Sequence, residues 1–428
     1  MTIHINRRRG IAMLLAAAVP LSLAACSSNN PATASSGAGA DNGAPVTMWV
    51  RATTASQSKA LVDAYNVSHK PRVELTVVPT DSYLQKVGVA AGAKQLPCLM
   101  ASDVVYMPNF IKKGLYLDIT DRVNALPYKD KLAGTSSVGK TIYGVPHNVA
   151  VAAIFQNDVL LEKAGIDPKK PLTSLHDLAA NATKVAGLGN GAIGLYYTGG
   201  SASSIAFTHF PAIWASGGEP LSADGTKSLL DSSISTQVFK IFNDMYKAGV
   251  TPDTVPSETG ATRNGVFATG KVGYMFASNS VLQTVPDNAN VKVGVQGIPG
   301  LTGGESTFVG GDSIGITSTC SNSNGAWNFI SWSLSKAAQV DIYAKMHQLP
   351  VRSDLADNKY ATGNAGVLKL NQLVGEGKTP YALNFGPTFN DPNGPALSAL
   401  QDALFGKGDP VAVLKAANPA ITASLKGQ

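Results

Sequence analysis

Residues Gly134 to Thr141 read G-T-S-S-V-G-K-T, the spacing G-x-x-x-x-G-K-[S/T] with which a loop cradles nucleotide phosphates. That chemistry needs a buried strand feeding the loop and a helix leaving it, its N-terminus aimed at the phosphates. Here "LPYKDKLA" precedes Gly134, and Gly144 and Pro146 follow Thr141 so closely that no helix fits. The octamer reads as a decoy. A second spacing, Gly311-Asp312-Ser313-Ile314-Gly315, matches the nucleophile elbow G-x-S-x-G, with Asp341 and His347 following in the order of a hydrolase triad. An elbow needs a helix directly after its serine, whereas "IGITSTC" is β-branched and strand-like. A secreted serine esterase using Ser313 is the best enzyme reading and stands last among the functions considered.

The other reactive side chains are scattered. His69, His147, His176, His209 and His347 include no pair at metal-ligand spacing, and Cys98 and Cys320 alone do not make a zinc site. Tyr196 and Tyr197 are neighbours on a strand-like run, so their side chains point to opposite faces unless the chain bends there. No metal or other cofactor is implied, and the expectation is a protein that is not an enzyme.

The chain's N-terminus bounds its compartment. Arg7, Arg8 and Arg9 precede the apolar run "IAMLLAAAVPLSL", which is too short to span a bilayer and reads as a secretory signal over 1–25. The "LSLAA" before Cys26 resembles a lipobox, with Cys26 as the lipid-bearing residue of an exported protein anchored at the outer face of the cell membrane. Residues 26–45 hold no large apolar side chain and read as a flexible tether. Without residues 1–25 the formal net charge falls from +6 to +3, because three Arg and no acid leave. No basic stripe of the kind that binds nucleic acid stands out. In an exported chain Cys98 and Cys320 are expected to form a disulfide, two buried thiols being the alternative.

Elements alternate from residue 46 onward. "VTMWV" (46–50), "RVELTVVPT" (72–80) and "SDVVYM" (102–107) read as strands, separated by helical "QSKALVDAYNVSH" (57–69) and "SYLQKVGVAAGA" (82–93). This predicts a parallel α/β sheet. A second set follows, with strands "AVAAIFQN" and "GAIGLYY", a helix through "STQVFKIFNDMYKAG", and the strands "VKVGVQGIPG" and "DSIGIT". "NGAWNFISWSLSKAAQVDIYAKM" reads as one helical stretch. Trp49, Trp214, Trp327 and Trp332 are expected in the core.

The chain resembles the extracellular solute-binding proteins of ABC importers, in the sugar-binding branch that includes maltose-binding protein. The resemblance runs from about 46 to 425 and rests on "VTMWV", "ASDVVYMPNFIKKGLYLDITDRV", "VGKTIYGVPHNVAVAAIFQNDVLLEKAGI", "GVFATGKVGYMFASNS", "FVGGDSIGIT" and "HQLPVRSD", in family order. Departures include Ser102 where a proline is usual, Gln156 and Asn157 for Asn-Lys, and Val281 about where a tryptophan falls. The resemblance implies a two-lobed, periplasmic-binding-protein-like (type II) α/β fold with a hinged ligand cleft. The lobes expected are 46–147 with 292–320, and 148–291 with 321–428.

It further implies a monomer that captures a mono- or oligosaccharide and delivers it to a membrane permease. The alternative is the same importer subunit binding a glycerophosphodiester, a polyamine or an iron chelate. Strand ends in such folds face the cleft. The residues expected there are Arg51 and Thr53, Tyr106 and Asn109, His147 and Asn148, Ser278 and Asn279. Gly310, Gly311 and Asp312 at the return strand, Gln348 and Arg352 around "LPV", and Phe385 as a stacking face complete the set.

Overall fold

The computed structural model describes residues 41–428. The export signal, the lipid-bearing Cys26 and the expected tether as far as residue 40 lie outside the described residues. The tether's last residues differ from expectation. Asn322 donates to Asp41 Oδ1 at 2.8 Å and to the Ala44 carbonyl at 2.8 Å, and Asn42 donates to the Ser321 carbonyl at 2.9 Å. Short polar side chains thus pin 41–44 without any large apolar residue, which is why hydrophobicity alone missed the attachment.

In chain order the strands are Val46–Arg51 (β1), Val73–Val78 (β2), Leu99–Asp103 (β3), Ser136–Val138 (β4), Thr141–Pro146 (β5), Ala150–Asn157 (β6), Ile193–Tyr196 (β7), Val272–Ser278 (β8), Val293–Gln296 (β9), Ile298–Pro299 (β10), Glu305–Ser306 (β11), Val309–Gly310 (β12) and Asp312–Ile316 (β13). One sheet has the order β2-β1-β3-β13-β5-β4; in another β12-β6-β8-β7 are neighbours and β9 also pairs with β6. In β1, Val46, Met48 and Val50 are buried on one face while Thr47 is exposed, the period of two that marks a strand. β6 is buried along nearly its whole length, as its unbroken apolar run requires of a strand covered on both faces.

Several expectations are corrected. The sheets are mixed rather than parallel: β1 runs parallel to β2 and β3, but β13 is antiparallel to both β3 and β5. β13 enters its sheet from the opposite side because the chain returns there from β12, which lies on β6. The third strand is Leu99–Asp103 rather than 102–107, because Asp103 turns the chain. Its carbonyl accepts from Tyr106 N at 2.9 Å and its Oδ1 from Val105 N at 3.3 Å. The long late helix ends at Ser333, where Gln339 Nε2 donates at 2.7 Å to the Ser333 carbonyl that a continuing helix would use.

The expected lobe boundaries also shift. β9 and β12 pair with β6, so the chain returns to the first sheet at about residue 312 rather than 292. The helix Ser323–Ser333 packs on β13 and on the helix Ala55–Ser68, and so sides with the first sheet rather than the second. In the second half, the helix Ser233–Lys247 packs against Pro395–Phe405 and Pro410–Lys426.

Cys98, just before β3, is disulfide-bonded to Cys320, just after β13, with Cα atoms 4.2 Å apart. Antiparallel pairing sets Leu99 opposite Ile316 and Thr317 N on the Cys98 carbonyl at 2.9 Å, and the turn that closes with Cys320 N on the Thr317 carbonyl at 3.1 Å brings Cys320 back beside Cys98. A cross-link over 222 residues restricts the unfolded chain, a contribution of about 2–4 kcal/mol. No described helix is long and apolar enough to cross a membrane.

Candidate functional site

The two sequence patterns with catalytic spacing resolve into β-structure. Gly134 to Thr141 spans β4, the turn at Gly139 and the start of β5, an antiparallel hairpin with no helix to receive phosphate. Ser313 lies inside β13, buried, with its Oγ donating to the Val145 carbonyl at 3.2 Å. Asp341 is an exposed ion-pair partner of Lys359. Tyr196 and Tyr197 are both buried, the first donating to Glu258 Oε2 at 3.1 Å and the second packed edge-on against His209. Among the described residues no group of three His, Cys, Asp or Glu could hold a metal ion.

A cleft of about 800 Å³ is bounded by strand ends from both sheets. Arg51 ends β1, Asp103 ends β3, Ser278 ends β8, and Gly310 and Gly311 join β12 to β13; all line it. Thr53, Tyr106, Asn148, Asn279, Gln348 and Phe385 line it too. Four expected residues do not. Asn109 sits on the helix Met107–Lys112, outside the lining. Arg352 is held elsewhere, stacked 3.7 Å from the Tyr128 ring centroid, donating to the Leu334 carbonyl at 3.1 Å and paired with Asp354. His147 and Asp312 lie beneath the cleft wall.

Those two residues knit the hinge. Asp312 is fully buried; its carboxylate pairs with Arg51 and accepts from Thr54 Oγ1 at 3.2 Å. Arg51 Nη1 also reaches Asp103 Oδ2 at 3.0 Å. Burial opposes the guanidinium's charge, but Asp312 and then Asp103 outweigh it and hold Arg51 above its usual value. The backbone of Asp312 is tied to the other crossover: its N–H donates to Asn148 Oδ1 at 2.8 Å and its carbonyl accepts from His147 N at 2.7 Å. Ser58 and His147 Nε2 are 2.8 Å apart, and Tyr343 donates to the His147 carbonyl at 2.6 Å. At the rim, Gln283 donates to the His347 carbonyl and accepts from Gln348, each at 3.1 Å.

Buried histidines make stability pH-dependent. Burial lowers His147 to about 4, with the field of Asp312 opposing the shift. Burial lowers His209 to about 3, with the Ile205 carbonyl opposing. The unfolded chain, with histidine near 6.5, takes up these protons first, so the contribution is complete above about pH 6.5 and is lost as pH falls toward 4 and 3. Urea denaturation at about pH 7 and about pH 5 should show a loss on the order of 2 kcal/mol per histidine. Equal stability at the two values would contradict the burial of both rings as neutral groups.

Sequence reasoning missed much of the second wall. Ser201, Ser203 and Ser204 line the cleft at the start of the helix Ala202–Ala215, following β7, where the strand-end rule could have placed them. Phe207, one turn further, is half-buried and offers the cleft more ring surface than Phe385, which is 2% exposed and stacked on Phe389. Arg263 lies on a six-residue helix after a loop, with no local pattern to announce it.

Residues 60–367 match the family model described as bacterial extracellular solute-binding protein. A chain of Brucella abortus, named only as a binding protein, is 29% identical over 360 residues, covering 82% of this chain and 85% of that one. The galactooligosaccharide-binding protein of Bacillus subtilis is 23% identical over 97% of both chains. The solved cyclic alpha-maltosyl-1,6-maltose binding protein of Arthrobacter globiformis superposes with a TM-score of 0.74 at 21% identity, over 90% of this chain and 100% of that one. At that identity the likeness shows a shared fold.

Proposed function

The chain belongs to the bacterial extracellular solute-binding proteins, and on that premise we propose that it captures a carbohydrate outside the cytoplasm and delivers it to the membrane permease of an ABC importer. The observation that carries this reading is the make-up of the cleft wall. Hydroxyls and amides of Thr53, Gln57, Ser204, Ser278 and Gln348 converge on one cavity that also presents the rings of Tyr106 and Phe207. A sugar needs both kinds of surface, donors and acceptors for its hydroxyls and an apolar face for its C–H groups. The names of the relatives point the same way.

Binding is followed by closure of the lobes over the ligand, a hinge motion about the crossovers at Asn148 and Gly311. The lobes, in this reading, are the first sheet with its helices and the second with its own. The protein works as a monomer and converts nothing; ATP is consumed by other subunits of the importer. Lipidation at Cys26 keeps the binder beside the permease and raises its effective concentration there, with more than one acyl chain needed for stable retention.

A thermal-shift screen tests the assignment. A sugar supplied at about 100 times its Kd adds about 2.7 kcal/mol of stability and raises the melting temperature accordingly. Shifts with glycerophosphodiesters, polyamines or ferric chelates, and none with mono- or oligosaccharides, would move the assignment to another solute class within the same family.

A further inference from the structure

The two walls of the cleft differ in charge. On the first, Arg51 lies between Asp103 and Asp312, so its positive charge is already balanced by two carboxylates. On the second, Arg263 is the only charged side chain lining the cleft among the described residues. Its contacts are all neutral: Ser278 Oγ at 3.1 Å, Thr198 Oγ1 at 3.4 Å and Asn264 Oδ1 at 3.4 Å. Among the described residues no carboxylate oxygen lies within ion-pair distance of it. Glu258 acts on it only from farther off, and that carboxylate already accepts from Tyr196, from Thr262 and from Gly260 N at 2.6 Å. Burial disfavours the Arg263 cation and lowers its pKa.

A half-buried guanidinium with only hydroxyl and amide partners lacks a charged acceptor, and a ligand oxyanion supplies one with short, charge-assisted hydrogen bonds. The surroundings favour the same chemistry. Ser201, Ser203 and Ser204 bring the first turn of a 14-residue helix to this cavity, and Ser280 and Thr259 add hydroxyls, while no acid lines this wall. Neutral sugar hydroxyls also bind arginine, but a wall poor in strong acceptors does little for their protons.

Building on the carbohydrate reading above, we infer that the sugar carries an oxyanion, a carboxylate or a phosphate ester, and that Arg263 is the residue that binds it. The preference is therefore for acidic over neutral carbohydrate, with the anionic group seated on the second wall and the remaining hydroxyls facing the first.

Calorimetric titration of the purified protein decides this. The probes are neutral disaccharides of glucose and galactose, the matching uronic acid disaccharides, and the matching 6-phosphates. The expected result is that one acidic series binds about tenfold to a hundredfold more tightly than its neutral counterpart. Which series does so identifies the oxyanion. Arg263→Gln should remove that preference by weakening the acidic ligand far more than the neutral one, and Arg263→Lys should restore part of it. Raising salt from about 0.05 M to about 0.5 M should weaken only the acidic ligand, a readout on the unmodified protein that holds even if the variants fold poorly. Equal affinities for acidic and neutral sugars, or an equal loss of both in Arg263→Gln, overturn the inference and leave the carbohydrate reading standing. Inorganic phosphate is the non-sugar control, and its binding with none of the disaccharides overturns both.

Discussion

Asp312→Ala is expected to lower the unfolding free energy by about 3–5 kcal/mol, the cost of breaking a buried ion pair by removing its more deeply buried carboxylate. The side chain is wholly buried, and its carboxylate is the acceptor for Arg51 Nε at 3.0 Å and for Thr54 Oγ1 at 3.2 Å. Arg51 cannot escape by losing its proton, because guanidinium stays charged across the accessible pH range. Asp103 remains, but it is partly exposed, and its own carboxyl is pushed up by burial in spite of Arg51. Against a total stability of roughly 5–15 kcal/mol, the loss is large. Urea denaturation measures it, with Asp312→Asn as the companion. Asn keeps an oxygen for Thr54 but not the charge, so it should fall between wild type and Ala. A loss in Asp312→Ala below about 1 kcal/mol would mean that Arg51 reaches water in the folded state.

That network also explains what the sequence could reveal. Strand ends and the order of motifs put Arg51, Asn148, Gly311 and Asp312 at the crossovers, where the sequence leads one to expect all four to face a ligand. What no motif records is direction. Arg51 and Asp312 spend their charges on each other, 261 positions apart, rather than on a ligand. His147 turns its ring to Ser58 in the same way. Conversely, Arg263 gains its place only because Thr198 and Ser278, on other segments, stand within hydrogen-bonding distance of it.

Strand polarity follows the same logic. The apolar pattern of "DSIGIT" is that of a strand in either direction, and the antiparallel setting of β13 depends on which sheet the chain leaves beforehand. Helices were easier, because their cause is local. Ala55–Ser68 buries Ser58, Leu61, Val62 and Tyr65 on one face, a spacing visible without any partner. The turn at Asp103 was legible in principle, since an aspartate can bond its own backbone two residues on. The β-branched Val104 and Val105 that follow it outweighed that signal.

Gly311→Ala is the second large effect expected, and it bears directly on the hinge. Gly311 has φ of +111°, a conformation that side chains other than glycine's rarely adopt. A Cβ built there falls 2.4 Å from the Asn148 carbonyl oxygen and 3.1 Å from Ala150 N, both backbone atoms of the other crossover. Neither can rotate aside, so the two crossovers must separate and the bonds joining Asp312 to His147 and Asn148 must lengthen. Strain and overpacking together amount to roughly 2–6 kcal/mol. Its neighbour is the control, because at Gly310 φ is not positive and an added Cβ meets the Phe207 ring edge at 3.3 Å and the nearest backbone atom at 3.7 Å. Gly310→Ala should therefore cost under about 1.5 kcal/mol and act on ligand binding through the cleft wall instead. Urea denaturation of the two variants should separate them clearly. Equal losses at the two positions would mean that the crossovers yield readily in spite of the close approach of Gly311 to Asn148.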